Sequence, residues 1–89
     1  MKRCIELVVA DPMGIHGRPA GALAIAVAKS GARVLLRCGA KSADASSVIA
    51  LLSLGARSGS HVVADIEGDD AAVATVESAL GEMFAKPNG

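Results

Sequence analysis

The sequence predicts one small α/β domain in which helices cover one face of a single antiparallel sheet. Three observations lead there. A chain of 89 residues suffices for one compact domain and leaves no room for a second, so the domain is expected to span residues 1–89. Short runs rich in Ile, Leu and Val alternate with segments whose apolar residues recur at helical spacing, in the order βαββαβα, without repeats, linkers or low-complexity tracts. Hydrophobic residues make up 52% of the chain, yet Phe84 is its only aromatic. The core must therefore be built from Ala, Val, Leu and Ile, whose small side chains let helices sit close to a sheet.

Arg3 to Ala10 reads as a first strand that stops at Asp11-Pro12, a pair that favours a turn. The loop from Asp11 to Gly17 holds two glycines and the first histidine. From Arg18 to Lys29, Ala20, Leu23, Ala24 and Val27 recur at helical spacing, and Ser30-Gly31 closes the segment. Pro19 falls in the first turn, where backbone N–H groups lack helical partners in any case.

Ala32 to Cys38 reads as a second strand, turning at Gly39-Ala40 into a short third one through Lys41 to Ala43. Ser46 or Ser47 is suited to cap a brief helix, Val48 to Leu54, ended by Gly55. His61 to Glu67 alternates as a fourth strand, with Val62, Ala64 and Ile66 facing one way. Such alternation fits a sheet with one open side. A last helix follows Gly68, sets Asp69 and Asp70 against its positive end, buries Val73, Val76, Leu80, Met83 and Phe84, and ends at Lys86-Pro87.

Nine basic residues balance nine acidic ones, so the chain lacks the positive field that nucleic-acid binding requires. The signs are segregated, with Arg18, Lys29, Arg33, Arg37, Lys41 and Arg57 preceding Asp65, Glu67, Asp69, Asp70, Glu77 and Glu82. Protein partners with acidic faces fit the basic part. Cys4 and Cys38 have no CxxC spacing and no His or Cys cluster nearby, which argues against a redox pair or a zinc site and for two buried free thiols. The start Met1-Lys2-Arg3 is followed by an apolar run that Glu6 interrupts, with no small-residue cleavage site. No apolar stretch reaches the roughly eighteen residues of a membrane span. The expectation is a soluble, cytoplasmic monomer with no cofactor, metal or membrane insertion.

The most informative segment is Gly14-Ile15-His16-Gly17-Arg18-Pro19-Ala20, which places an imidazole and a guanidinium where a loop becomes a helix. That arrangement fits a phosphoryl group. The free N–H groups of a helix start, here those of Gly17 and Arg18, can bond its oxygens. Arg18 adds a planar donor fork of permanent charge. Imidazole, with an unperturbed pKa of roughly 6.5, offers a neutral nucleophilic nitrogen near neutral pH. Gly17 removes side-chain bulk beside the ring and would ease a partner's approach.

These residues resemble the histidine-containing phosphocarrier (HPr) family of the bacterial sugar phosphotransferase system, whose pattern G-[aliphatic]-H-[small]-R-P-A is matched at every position from Gly14 to Ala20. The resemblance continues without gaps through Lys41-Ser42-Ala43, Ser47-Val48-Ile49 and Leu54-Gly55, and covers essentially the whole chain. It implies an open-faced β-sandwich with a four-stranded antiparallel sheet of order 1-4-2-3 and three helices on one face. It also implies a carrier without turnover of its own: His16 would be phosphorylated on Nδ1 by enzyme I, using phosphoenolpyruvate, and would donate to enzyme IIA domains. Arg18 would stabilise the phosphoryl group. Ser47 would align with a regulatory serine modified by an HPr kinase/phosphorylase, and Met13, Val48, Ile49 and Leu52 would contact partners.

Two positions depart from the pattern. Family members commonly carry Asn or Ser where this chain has Met13, and Ala, Ser or Thr where it has Gly17. Acylphosphatases are equally short, but they need a catalytic asparagine and the only one here is Asn88 in the tail. A ferredoxin-like binding module has no particular use for His16 next to Arg18. A paralogue in a nitrogen-linked regulatory relay would share the same chemistry. His61 starts a strand after the polar run Arg57 to Ser60 and reads as a solvated surface residue. The segment Val48 to Leu54 is apolar nearly all round, which leaves open an exposed patch or a fully buried helix.

Overall fold

The computed structural model describes residues 1–87. Its elements follow in the order β1 (Lys2–Val9), α1 (Gly17–Ser30), β2 (Arg33–Cys38), β3 (Lys41–Asp44), α2 (Val48–Ser53), β4 (His61–Glu67), α3 (Asp70–Leu80) and β5 (Phe84–Ala85). The strands form one sheet of order β3-β2-β4-β1-β5, and every pairing is antiparallel. The predicted order 1-4-2-3 is present within it, with one strand added.

That fifth strand is where the structure departs from the periodicity. Leu80, Met83 and Phe84 keep helical spacing, but α3 ends at Leu80 rather than at Lys86-Pro87. Turn bonds from Glu82 N–H to Ala79 O and from Met83 N–H to Leu80 O then reverse the chain. Met83 and Phe84 are still buried, but from a turn and a strand. Phe84 and Ala85 pair with Val9 and Val8, and Ala10 N–H donates to Met83 O at 3.0 Å. The outer edge of β1 would otherwise present unpaired backbone groups, and sheet pairing satisfies them better than another helical turn in solvent would.

The alternation that predicts the strands also decides the two faces of the sheet. Leu7, Val9, Val34, Leu36, Val62, Ala64 and Ile66 are buried beneath the helices, and α1 supplies Ala20, Leu23, Ala24 and Val27 to the same core. The left-handed Gly31, with φ of 78°, ends α1. Asp69 caps α3 by accepting from Ala72 N–H at 2.7 Å. The opposite face is open and polar. On it Arg37 donates to Asp65 at 2.7 Å, which holds the Asp65 carboxyl below its usual value, and Lys2 meets Glu67 at 3.6 Å. The basic and acidic halves of the sequence are thus partly neutralised across β2 and β4.

Both cysteines are free, but they are not buried as the sequence had indicated: Cys4 is exposed and Cys38 half-buried. Cys4 stands on the open face opposite Asp65 in the β1–β4 register, where alternation sends it away from the core. The Asp65 carboxylate beside it pushes its thiol up, so it carries less thiolate and is less reactive despite its exposure.

Candidate functional site

The site is assembled where β1 runs out into the loop before α1. Asp11-Pro12-Met13-Gly14 is a tight turn closed by Gly14 N–H donating to Asp11 O at 2.9 Å, with Pro and Gly at the second and fourth places that such turns favour. The Asp11 carboxylate reinforces it by accepting from Met13 N–H at 2.9 Å. Gly14 has φ of 72°, and a Cβ there would lie 3.1 Å from Ala56 O. Ile15 N–H reaches that same carbonyl at 3.5 Å. The loop is thereby tied to the segment that follows α2.

His16 is the N-cap of α1, in extended conformation, and its side chain caps no backbone group of the helix. Its carbonyl accepts the first helical bond, from Ala20 N–H at 2.9 Å. The N–H groups of Gly17 and Arg18 therefore open the helix with no intrahelical acceptor, and Pro19 has none to offer. The imidazole is turned backwards along the loop, with Nε2 3.1 Å from Asp11 Oδ2. The His16 and Asp11 side chains are 37% and 21% exposed, enough to be reached while water is partly kept from the bond between them. Met13 N–H, and then His16, hold the Asp11 carboxyl below its ordinary value.

Arg18 is exposed, one residue into the helix, and pairs with no carboxylate among the described residues. Gly17 has open space where a Cβ would be. Ser47 is the N-cap of α2, accepting from Ala50 N–H at 3.2 Å. Among the residues expected to meet partners, Met13 is 75% exposed, Ile49 79% and Leu52 45%, whereas Val48 is half-buried and packs against the core. Leu51 and Leu54 are buried. The short helix thus has a wet apolar side and a buried one. His61 is exposed at the first position of β4.

Asp11 is the site residue that sequence reasoning missed. Its one legible signal was Asp-Pro at the end of a strand, which marks a turn. Nothing in the spacing shows that a carboxylate five residues before an imidazole will reach it, because the turn must first fold the loop back. The described residues contain no cluster of His, Cys, Asp and Glu that could hold a metal ion, and no described helix is long and apolar enough to cross a membrane.

Comparison with known proteins places this geometry in a family. The family model described as the PTS HPr component phosphorylation site matches residues 4–85. Over 66 residues, 74% of this chain, the sequence is 39% identical to the multiphosphoryl transfer protein of Xanthomonas campestris pv. campestris, of which that stretch spans 8%. Over 67 residues it is 36% identical to phosphocarrier protein HPr of Mycoplasma pneumoniae, covering 74% of this chain and 76% of that protein. The fold is that of the phosphocarrier protein HPr from Bacillus anthracis, with a TM-score of 0.81 over 92% of this chain and 96% of that one at 22% identity. With the family model matching residues 4–85, an α+β fold like that of the solved phosphocarriers and a loop that seats His16 at a helix start, the chain belongs to the HPr family of phosphotransferase-system phosphocarriers.

Proposed function

We propose that His16 accepts a phosphoryl group from enzyme I, charged by phosphoenolpyruvate, and passes it to an enzyme IIA domain in sugar uptake. The observation that carries this reading is the seat of His16: an imidazole at the N-cap of α1, next to helix N–H groups with no helical acceptor and to Arg18, which pairs with no carboxylate among the described residues. In the first transfer a ring nitrogen attacks phosphorus, the new N–P bond forms and the bond to the donor breaks. In the second the same events run toward the acceptor. The helix start and the Arg18 fork bond the phosphoryl oxygens and hold the group in line with a partner's nucleophile. The chain on this reading is a carrier, not an enzyme, and works in the cytoplasm.

Partners would dock on Met13, Ile49 and Leu52, whose exposure supports contact; Val48, half-buried, would serve chiefly as their support. The basic charge near this surface suits acidic partners. Ser47 would be a point of control, since a phosphate on its cap hydroxyl would set a double negative charge next to exposed Ile49 and hinder docking of an acidic partner.

Incubation with phosphoenolpyruvate and enzyme I should load one phosphoryl group that is acid-labile and base-stable, and His16→Ala should abolish loading. Acid-labile phosphate on His16→Ala would overturn the assignment. Offering the loaded protein enzyme IIA of the sugar-uptake type and of the nitrogen-linked type shows which relay it serves.

A further inference from the structure

The Asp11–His16 pair is not explained by the carrier chemistry alone. A helix start and an arginine suffice to hold a phosphoryl group, yet a half-buried carboxylate is also spent on one ring nitrogen. Asp11 uses both oxygens: Oδ1 accepts from Met13 N–H at 2.9 Å, and Oδ2 lies 3.1 Å from His16 Nε2. The first bond fixes the carboxylate's orientation. The second then meets the imidazole in a set direction.

We infer that Asp11 is a positioning residue that pins the ring proton of His16 on Nε2 and so leaves the lone pair on Nδ1. This rests on His16 being the phosphoryl acceptor. An ionised carboxylate only accepts hydrogen bonds, so a neutral imidazole facing it must donate through Nε2–H. Nδ1 is the ring nitrogen that Asp11 does not engage, and its lone pair is the one left for attack. The carboxyl is held below the ordinary carboxylate range, so it is ionised at neutral pH.

The pairing also settles where the charge goes. As Nδ1 forms its bond to phosphorus and the donor bond breaks, Nε2–H stays in place and the ring becomes a phosphoimidazolium cation. Asp11 is then its counter-ion. On delivery the N–P electron pair returns to Nδ1, the ring becomes neutral and Nε2 still holds its proton. No proton leaves or enters in either direction. The other nitrogen, engaged by Asp11, is withheld from attack.

Asp11→Asn tests this with nearly unchanged shape. Its Oδ1 can keep the Met13 N–H bond, which turns the amide NH2 toward Nε2. Nε2 must then accept, and the proton moves to Nδ1. Nitrogen-15 spectra of the neutral, unphosphorylated ring should show Nε2–H in the wild type and Nδ1–H in Asp11→Asn, with amide spectra showing the fold intact. Loading by enzyme I should slow by about tenfold or more, the scale on which loss of a group that orients a functional imidazole is felt. Asp11→Ala, which imposes neither tautomer, should fall between the two. A wild-type ring that is mainly Nδ1–H, or an Asp11→Asn protein with the wild-type tautomer and loading rate, overturns the role of Asp11. The tautomer is read without phosphate, so it decides this point even if His16→Ala were to show that another residue is the acceptor.

Discussion

Two histidines lie at the same end of the sheet and differ in almost everything but their side chain. His61 opens β4 opposite Val8 of β1, is exposed, and makes no side-chain hydrogen bond among the described residues. His16, a few residues beyond the end of β1, caps α1, bonds Asp11 and stands beside Arg18. An imidazole is thus made a candidate carrier by its setting, a helix start whose first N–H groups lack helical acceptors, a carboxylate at 3.1 Å and an arginine two residues on, which together suit a phosphoryl group. His61 has solvent for all three.

The strongest way to break this contrast is to delete each ring. His16→Ala should lose all loading, while His61→Ala should load at the wild-type rate. If His61→Ala alone prevents loading in a folded protein, the contrast is false. The next effect concerns Arg18. Arg18→Lys keeps the charge but loses the planar fork, and transfer should slow severalfold; Arg18→Ala should slow it by about tenfold or more, as loss of a charge-stabilising donor does. Wild-type transfer in a folded Arg18→Ala variant would remove Arg18 from the site.

A third test addresses the loop rather than the chemistry. Gly14→Ala introduces a Cβ at positive φ, 3.1 Å from Ala56 O, and should destabilise the protein by roughly 1–3 kcal/mol. Thermal unfolding measures it, and an unchanged midpoint would show that the loop gives way easily. The corresponding change Gly59→Ala, before His61, is strained by its φ of 86° but meets no neighbour within 4 Å, so it should cost less.

The smallest effect is on acid stability. Folding lowers the carboxyl pKa of Asp11 through Met13 N–H and His16, of Asp44 through the hydroxyl and N–H of Ser46, and of Asp65 through Arg37. A lowered pKa means that these groups add stability fully above their unfolded value of about 3.9. That stability fades as pH falls below this value and through the lower folded ones. The urea midpoint should therefore drop from pH 6 to pH 3, and Asp11→Asn should lessen the drop. A midpoint that rises on acidification would contradict the sign for all three groups.

Much of the architecture was legible because strand and helix periodicities report local geometry. Val62, Ala64 and Ile66 share a face for any strand, and Ala20, Leu23, Ala24 and Val27 share one for any helix. The seat of His16 was legible in part: Arg18-Pro19 marks a helix start and so sets the histidine where a loop becomes a helix, but the helix begins one residue earlier than read, at Gly17, and this makes His16 its N-cap.

What escaped depended on neighbours distant in sequence. Leu80, Met83 and Phe84 read equally well as a helix face. Only the unpaired edge of β1 decided that Phe84 and Ala85 become a strand, because backbone groups there needed partners. Val48 and Leu52 are alike in composition, and only packing against the core turned Val48 inward and left Leu52 at the surface. Cys4 looked like a core thiol until the pairing with β4 set it opposite Asp65.

The sequence by itself thus determined the element order, the buried faces and a histidine at a helix start next to an arginine. The tertiary structure alone decided which strand closes the sheet, which apolar residues stay wet and which carboxylate holds the imidazole. The reason is physical: periodicity and capping are set by bonds within a few residues, whereas edge pairing, burial and the Asp11–His16 contact depend on where the folded chain brings separate groups.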